Sequence, residues 1–218
     1  MKKDIYHTLK ERIIHLDYAP GTILKEQTLA QEFGVSRTPL RTVLFRLEWE
    51  HLVKILPRTG ILVMELELNT ITHVFQARLE IEEVIGTLAA ERFTPGDMER
   101  LEGLHNEVGR LVDNKDPRIL GAADMQIKEI FNQASANPFL IEMAERLYSL
   151  TFRLWYFNMI KMDLPVWNQE VDTVMTDVTA LIQVVKNGTP AQVGQLRKEQ
   201  LLTHLKRIRS RFLGLTDL

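Results

Sequence analysis

The chain has 218 residues, which is enough for one large domain or two small ones. Hydrophobic residues make up 45% and charged residues 26%, values that are typical of a soluble globular protein and argue against extensive disorder. The formal net charge is −2, so no overall basic excess indicates nucleic-acid binding. The absence of cysteine excludes disulfides, thiolate metal sites and cysteine nucleophiles.

The sequence predicts neither a signal peptide nor a membrane span. Two lysines near the N-terminus are not followed by an apolar stretch of signal-peptide length. Apolar runs such as Ile61 to Met64 and Leu154 to Phe157 fall far short of the ~18 residues that a membrane span needs. We therefore expect a soluble, cytoplasmic protein.

The first 68 residues predict three short helices and a hairpin. The Pro20-Gly21 pair is a turn signal that ends the first helix. Gly34 is predicted as a left-handed cap after the second helix, and Ser36 as the N-cap of the third. Helices are predicted over 3–16, 26–33 and from 36 onward, and strands over 52–56 and 61–64. This order of elements is that of a winged helix-turn-helix, in which the third helix presents its first turn to the DNA major groove.

From about residue 70 onward every long segment has helical periodicity. Asp116-Pro117 and Thr189-Pro190 are typical of an N-cap followed by proline at the first helical position. Helices are predicted over 70–92, 96–113, 116–136, 138–162, 167–187 and 190–213. We expect a mainly α protein with a winged helix-turn-helix domain at 1–68 and an all-helical domain at 69–218.

Basic side chains are concentrated where the recognition helix and wing are predicted. Between residues 36 and 60 there are five basic and two acidic residues. Arg37 and Arg41 are spaced i, i+4, so they share one helix face from which a guanidinium can reach guanine edges or phosphates. Arg46 lies two and a half turns after Arg37 and faces roughly the opposite side, which favours a phosphate contact or a bracing role.

The predicted wing tip adds a further basic residue. Arg58 precedes Gly60, and an arginine on such a loop can reach into the minor groove. Ser36 and Thr38 combine helix capping with phosphate contact. The alternative for each residue is an ordinary solvated side chain. The predicted DNA-binding residues are Ser36, Arg37, Thr38, Arg41, Arg46, Arg58 and Gly60.

This region resembles the DNA-binding head of GntR-family transcription regulators. The residues that carry the resemblance are Ala19-Pro20-Gly21-Thr22-Ile23-Leu24-Lys25-Glu26, Leu29-Ala30 and Gly34-Val35-Ser36-Arg37-Thr38-Pro39-Leu40-Arg41. The match extends over nearly all of residues 5–64. His51 departs from it, because the family usually has glycine after the recognition helix; this bears on the start of the wing and not on the fold.

The helical part is similar to the FCD domain of the FadR subfamily. The similar residues are Arg78-Leu79-Glu80-Ile81-Glu82, Leu88-Ala89-Ala90, Asp124 and Ala134-Ser135-Ala136-Asn137-Pro138. The resemblance implies an antiparallel helical bundle around a pocket for a small-molecule effector, often a carboxylate. Many members hold a divalent metal in this pocket through one aspartate and three histidines.

The metal-binding pattern is broken in this chain. Asp124 is present, but Lys128 and Val178 stand at two histidine positions, and the third falls at Gln200 or His204. An ammonium group repels a cation, so we expect no bound metal and an anionic ligand held by Lys128 instead. The alternative is a displaced divalent-metal site formed by Asp124, Asp177 and His204.

Arg78 and Arg153 are further cations that can point inward, although Arg153 and His204 lie in segments typical of a core. The predicted effector-binding residues are Arg78, Asp124, Lys128, Arg153 and His204.

These features predict a transcription regulator that binds operator DNA as a homodimer, most simply a repressor, and responds to a small metabolite. The sequence contains no glycine-rich phosphate loop, zinc-protease motif or nucleophile elbow, so we expect no enzyme activity. The alternative hypothesis is a helical ligand-binding or metal-dependent enzyme whose head is only an interaction module. A regulator with a vestigial pocket is a third possibility.

Overall fold

The computed structural model describes residues 4–212 and is mainly helical. Its helices are α1 (Ile5–Ile14), α2 (Glu26–Phe33), α3 (Arg37–Trp49), α4 (Leu68–Ala90), α5 (Pro95–Gly109), α6 (Pro117–Ser135), α7 (Pro138–Lys161), α8 (Leu164–Asn187) and α9 (Pro190–Phe212). Its strands are β1 (Ile23–Leu24), β2 (Val53–Leu56) and β3 (Gly60–Val63). Within this part of the chain, no helix is long and apolar enough to cross a membrane.

Residues 4–64, which we call the head, form a winged helix-turn-helix, as predicted. Gly34 ends α2 with φ +62, which confirms the predicted left-handed cap. The sheet has three strands in the order β1-β3-β2, all antiparallel, and not the two that the sequence indicated. The missed strand β1 has only two residues, Ile23 and Leu24, which pair with Leu62 and Ile61 of β3. A segment of this length has no periodicity of its own and forms only because β3 offers it an edge.

Residues 68–212, which we call the body, contain six helices, as predicted, with shifted ends. The predicted helices over 3–16 and 190–213 begin or end outside the described residues. Helix α8 begins three residues before its predicted start, because Asp163 accepts a hydrogen bond from the Val166 N–H at 3.0 Å and Pro165 fits the first turn. Helix α5 ends at Gly109, earlier than predicted. The caps at Asp116 and Thr189 are confirmed by hydrogen bonds to their first-turn N–H groups.

The head packs on helix α7 of the body. His15, at the end of α1, is buried and contacts the rings of Phe152 and Tyr156 edge-on, with centroids 5.4 and 5.0 Å away. Asp17 forms an ion pair with Arg118 of α6 at 2.5 Å. An aromatic contact and an exposed ion pair are therefore among the contacts that join head and body.

Candidate DNA-binding surface and central cavity

The first turn of α3 is open to solvent. Ser36, Arg37 and Thr38 are all exposed, so their side chains are accessible to a macromolecular ligand. Ser36 has the extended conformation of an N-cap, with φ −74 and ψ 168, but its side chain makes no capping hydrogen bond. The predicted N-cap position of Ser36 is therefore confirmed, but its hydroxyl does not cap the helix and stays available for another partner.

Arg41 lies on the same exposed face of α3 but is already paired. Its Nε and Nη2 donate to the two carboxylate oxygens of Glu26 on α2, at 2.9 and 3.1 Å. A solvent-exposed ion pair of this kind contributes little to stability, so Arg41 can exchange it for a phosphate or a base. Glu26 thereby orients Arg41 in the free protein.

Arg46 points to the other side of α3 and braces the head. Its guanidinium lies 3.6 Å from the centroid of the Tyr6 ring on α1, and its Nε lies 3.4 Å from a carboxylate oxygen of Glu50. Glu50 is buried and also accepts hydrogen bonds from Tyr6 and Lys10, at 2.6 and 2.8 Å. The geometry is that of the bracing alternative; contact of Arg46 with phosphate stays a prediction.

The wing turn is held by backbone contacts. Arg58 is exposed and has φ +64, a left-handed conformation at the tip. Lys25 donates to the Thr59 carbonyl at 2.9 Å and brings a further cation to the tip. Gly60 has φ +143, and a Cβ there would lie 2.5 Å from the Leu24 carbonyl oxygen. The glycine is therefore explained by the close approach of β1.

The sequence interpretation missed two residues on the exposed face of α3. Thr42 and Phe45 follow Arg41 by one and four residues and are both exposed, with Phe45 at 59% of its accessible area. A large apolar side chain on such a face can contact a thymine methyl group. The i, i+4, i+8 spacing of Arg37, Arg41 and Phe45 is the signal that reveals this residue.

A cavity of about 70 Å³ lies inside the body, between five of its helices. Four of the five predicted effector residues line it: Arg78, Asp124, Lys128 and His204. The other ionisable or polar lining residues are Glu82, Tyr148, Thr151, Asp177, Arg197, Gln200 and Arg207. Charged groups from helices distant in sequence are therefore gathered around one small space.

Arg153 does not line this cavity, which corrects the prediction that it points into the effector pocket. It lies one residue after Phe152 on α7, on a different face of the helix. Its Nη2 donates to the carbonyl of Met64, at the end of β3 in the head.

The predicted ion pair between Asp124 and Lys128 is present at 3.4 Å. The Asp124 carboxylate also accepts a hydrogen bond from the Tyr148 hydroxyl at 2.7 Å. Burial alone would raise the pKa of Asp124, but the Lys128 charge and the Tyr148 hydrogen bond bring it below its ordinary value. Asp124 is therefore an anion already engaged on both oxygens.

Glu82 holds two of the cavity arginines. It pairs with Arg78 at 2.9 Å and with Arg197 at closer range. Burial would raise its pKa, but the charges of Arg197 and Arg78 lower it to about 2. Arg78 also donates to the Thr151 hydroxyl at 2.5 Å, which fixes its guanidinium against α7.

His204 is a neutral residue here. Burial, assisted by the nearby charge of Arg207, lowers its pKa to about 3. The Arg207 Nη2 lies 3.0 Å from the His204 Nδ1, and a guanidinium can only donate, so Nδ1 is the acceptor and Nε2 carries the proton. Arg207 is itself held by Glu170 at 2.9 Å.

Asp177 is the cavity acid that lacks a direct partner. Its carboxylate makes no hydrogen bond or ion pair with any residue in the described part of the chain, and burial raises its pKa. The neighbouring Val178 also lines the cavity, and Gln200 donates to the Asp177 backbone carbonyl at 2.8 Å.

These donors do not suit the divalent metal found in many FCD domains. Asp124 is engaged by Tyr148 and Lys128, and the Nδ1 lone pair of His204 is used by Arg207. Among residues 4–212, no three histidine, aspartate or glutamate side chains are grouped closely enough to hold a metal ion, which includes the alternative set with Asp177. The ammonium of Lys128 opposes a cation as well.

Comparison with known proteins identifies both regions. Residues 1–63 match the model of the bacterial regulatory proteins of the gntR family, and residues 73–206 match that of the FCD domain. The chain is 31% identical over 195 residues to the uncharacterized HTH-type transcriptional regulator YieP of Escherichia coli strain K12, covering 80% of this chain and 83% of the relative. It is 29% identical over 163 residues to the galactonate operon transcriptional repressor of the same strain, covering 66% and 70%.

The solved structure of E. coli McbR/YncC superimposes with a TM-score of 0.82 at 19% identity, covering 95% of this chain and 96% of that one, which supports the fold. The similar region spans only 50% and 65% of two further HTH-type regulators, from Streptomyces ambofaciens and Bacillus subtilis strain 168. The matches to YieP and to both family models nevertheless include head and body together. The chain belongs to the GntR family of bacterial regulatory proteins and carries an FCD domain.

Proposed function

We propose that this protein is a cytoplasmic transcription repressor that binds operator DNA as a homodimer and is controlled by a small carboxylate. Residues 1–68 serve as the DNA-binding domain, and residues 69–218 serve for effector binding and dimerisation. The similarity to a galactonate operon repressor supports repression over activation.

The observation that carries the DNA-binding role is the exposed face of α3 beside the wing. Arg37, Thr38 and Arg41 lie on the first turns of that helix, and Arg58 lies at the wing tip. A helix N-terminus with arginines fits the major groove, while a basic loop tip fits the adjacent minor groove. One such surface reads one half-site, so a two-fold homodimer is needed to read an inverted repeat.

The observation that supports a carboxylate effector is the charge of the central cavity. Four cationic side chains and three carboxylates line it, and His204 adds no charge near pH 7 because its pKa is about 3. The cavity volume of about 70 Å³ corresponds to on the order of five water molecules. A small carboxylate of a few carbons suits both the charge and the size, with Lys128 and Arg78 as its cationic partners.

The DNA-binding role is tested with duplexes selected from a random library by the wild-type protein. Arg41→Ala is expected to weaken specific binding by about 1–3 kcal/mol, because it removes a base contact. Arg58→Ala is expected to lower affinity more evenly across duplexes, because it contacts the groove or the backbone. Arg100→Ala, an exposed charge change in the body, is the matched control. Unchanged affinity in a folded Arg41→Ala protein would contradict the proposed surface.

The effector role is tested by a thermal-shift screen of small carboxylates and divalent metals, with elemental analysis of protein purified without chelator. We expect stabilisation by a carboxylate, its loss in Lys128→Met, and no stoichiometric transition metal. Near-stoichiometric zinc, nickel or manganese that disappears in His204→Ala would show instead that the displaced metal site exists.

A further inference from the structure

A second and larger cavity, of about 580 Å³, lies where the head joins the body. It is open to solvent on one side and is lined by His51, the end of the wing, the connecting segment 65–67 and helices α4 and α7. Aliphatic side chains form most of its wall, among them Leu66, Ile71, Val74, Leu147 and Leu150. Its volume is within the range of sites for small organic molecules, and it is separate from the central cavity.

One buried cation lines this apolar space. Arg153 is only 2% exposed, and its Nε makes no hydrogen bond. Its one hydrogen bond to the described part of the chain goes to the neutral carbonyl of Met64, so no carboxylate pairs with it directly. Glu65 is the acid that influences it, and that residue is exposed and acts only from a distance.

A guanidinium in this position is costly without an anion. Buried charges in proteins are normally paired, because the loss of hydration is otherwise uncompensated. Burial also lowers the pKa of Arg153 to about 10. The positions of the other charged lining groups differ: Glu65 and Glu67 are exposed, and Arg146 stacks on the Trp49 ring at 4.0 Å. Among the described lining residues, Arg153 is therefore the cation that is almost fully buried and has neither an acidic nor an aromatic partner.

We propose that this cavity is a binding site for an amphipathic carboxylate, whose anionic head pairs with Arg153 and whose apolar body packs on the aliphatic wall. The unpaired guanidinium supplies the charge, and its fork of donors matches a carboxylate. The aliphatic lining supplies the contact for the apolar body. The site is independent of the central cavity and of the proposed regulatory function.

The test uses the full chain and three eight-carbon probes of nearly equal shape: octanoate, octanol and octylamine. Thermal shift and isothermal titration calorimetry are expected to show that octanoate stabilises the protein most and binds with the highest affinity. Arg153→Met is expected to weaken octanoate binding by about ten- to a hundredfold, the typical contribution of a hydrogen bond to a charged group. The same change is expected to leave octanol binding within about twofold.

Two further variants locate the site. Ala77→Phe narrows the cavity without touching the charge, so it is expected to weaken both octanoate and octanol; it also serves if Arg153→Met fails to fold. Lys128→Met, in the central cavity, is expected to leave octanoate affinity within about twofold. Equal affinity of octanoate and octanol for the wild type, or loss of octanoate binding in Lys128→Met but not in Arg153→Met, would overturn the proposal. The proposal would also be overturned if octanoate failed to stabilise the protein. That result is expected if a second copy of the chain covers this face.

Discussion

Individual residues set the conformation of the recognition surface, and His51 does so at a cost. It connects α3 to the wing with φ +61, in the left-handed region where an L side chain is disfavoured. The sequence identified this position as a departure from the glycine usual in the family. The backbone at His51 has the conformation that suits glycine. Histidine at this position therefore lowers stability without changing the path of the backbone.

We expect His51→Gly to stabilise the head. Removal of the Cβ relieves about 1–2 kcal/mol of left-handed strain, partly offset by the greater entropy of glycine in the unfolded chain, which leaves a gain of about 0.5–1 kcal/mol. Urea denaturation measures the free energy of unfolding. His73→Gly, in the interior of helix α4, is the matched control and should destabilise by about 0.3–0.5 kcal/mol, the difference in helix propensity between histidine and glycine. A loss of stability in His51→Gly would show that its side chain makes a stabilising contact.

The positions of the DNA-binding arginines along the chain are predictable from the sequence, but their partners are not. The i, i+4 spacing indicates that Arg37 and Arg41 share a face, and both are exposed in the structure. The pairing of Arg41 with Glu26 joins residues on two helices 15 positions apart. Only the angle at which α2 packs on α3 brings that carboxylate within reach.

Helices α4 and α9 approach each other closely at two glycines. A Cβ on Gly194 would lie 2.5 Å from the Glu83 carbonyl oxygen, and one on Gly86 would lie 2.9 Å from the Cα of Gly194. Both neighbours are backbone atoms, which cannot rotate away. These glycines allow the contact that brings Arg197 of α9 to Glu82 of α4.

Gly194→Ala is therefore expected to destabilise the body. Alanine favours a helix by about 1 kcal/mol, but overpacking against backbone costs about 1–3 kcal/mol and separates the two helices. Gly103→Ala is the matched control, because this glycine also lies in a helix but has no atom within 4 Å of its missing Cβ. Thermal unfolding should show a lower Tm for Gly194→Ala and a higher one for Gly103→Ala. An increase in both would indicate that α9 has room to move.

In the molecule as a whole, ion pairs between distant segments hold the body together. Glu170 of α8 is fully buried and pairs with Arg207 at 2.9 Å and with Arg211 at closer range, both on α9. Its Oε1 also accepts a hydrogen bond from the Trp155 indole of α7 at 2.9 Å. One carboxylate therefore links three helices.

This arrangement predicts a loss of stability in acid. Burial alone would raise the pKa of Glu170, but the charge and the hydrogen bonds of Arg207, with a smaller contribution from Arg211, lower it from 4.5 to about 2. A carboxyl whose folded pKa is lowered contributes stability that is complete above its unfolded pKa and disappears as the pH falls through the folded value. The contribution of Glu170, on the order of 3 kcal/mol, should therefore be lost between about pH 4.5 and pH 2.

Urea denaturation from pH 7 to pH 2 measures this effect. Glu170→Gln should be less stable at pH 7, because Arg207 and Arg211 lose their counter-charge, and the gap to the wild type should narrow below pH 4.5. Any loss of stability in acid that Glu170→Gln still shows comes from other groups such as Glu82, whose pKa is also about 2. A gap that stays constant down to pH 2 would mean that Glu170 does not titrate in this window.

The sequence by itself determined the order of helices, most caps, the winged helix-turn-helix and the family, because these depend on periodicity, turn residues and motifs within a few positions of one another. Only the tertiary structure decided where each buried charged side chain lies and which residues it contacts. Asp124 and Lys128 are neighbours on one helix and were predictable as a pair, whereas Arg153, on a helix that lines the central cavity, turns to the head and Met64 instead. The face on which a side chain lies relative to other elements depends on helix packing angles, which arise from contacts between residues far apart in the sequence.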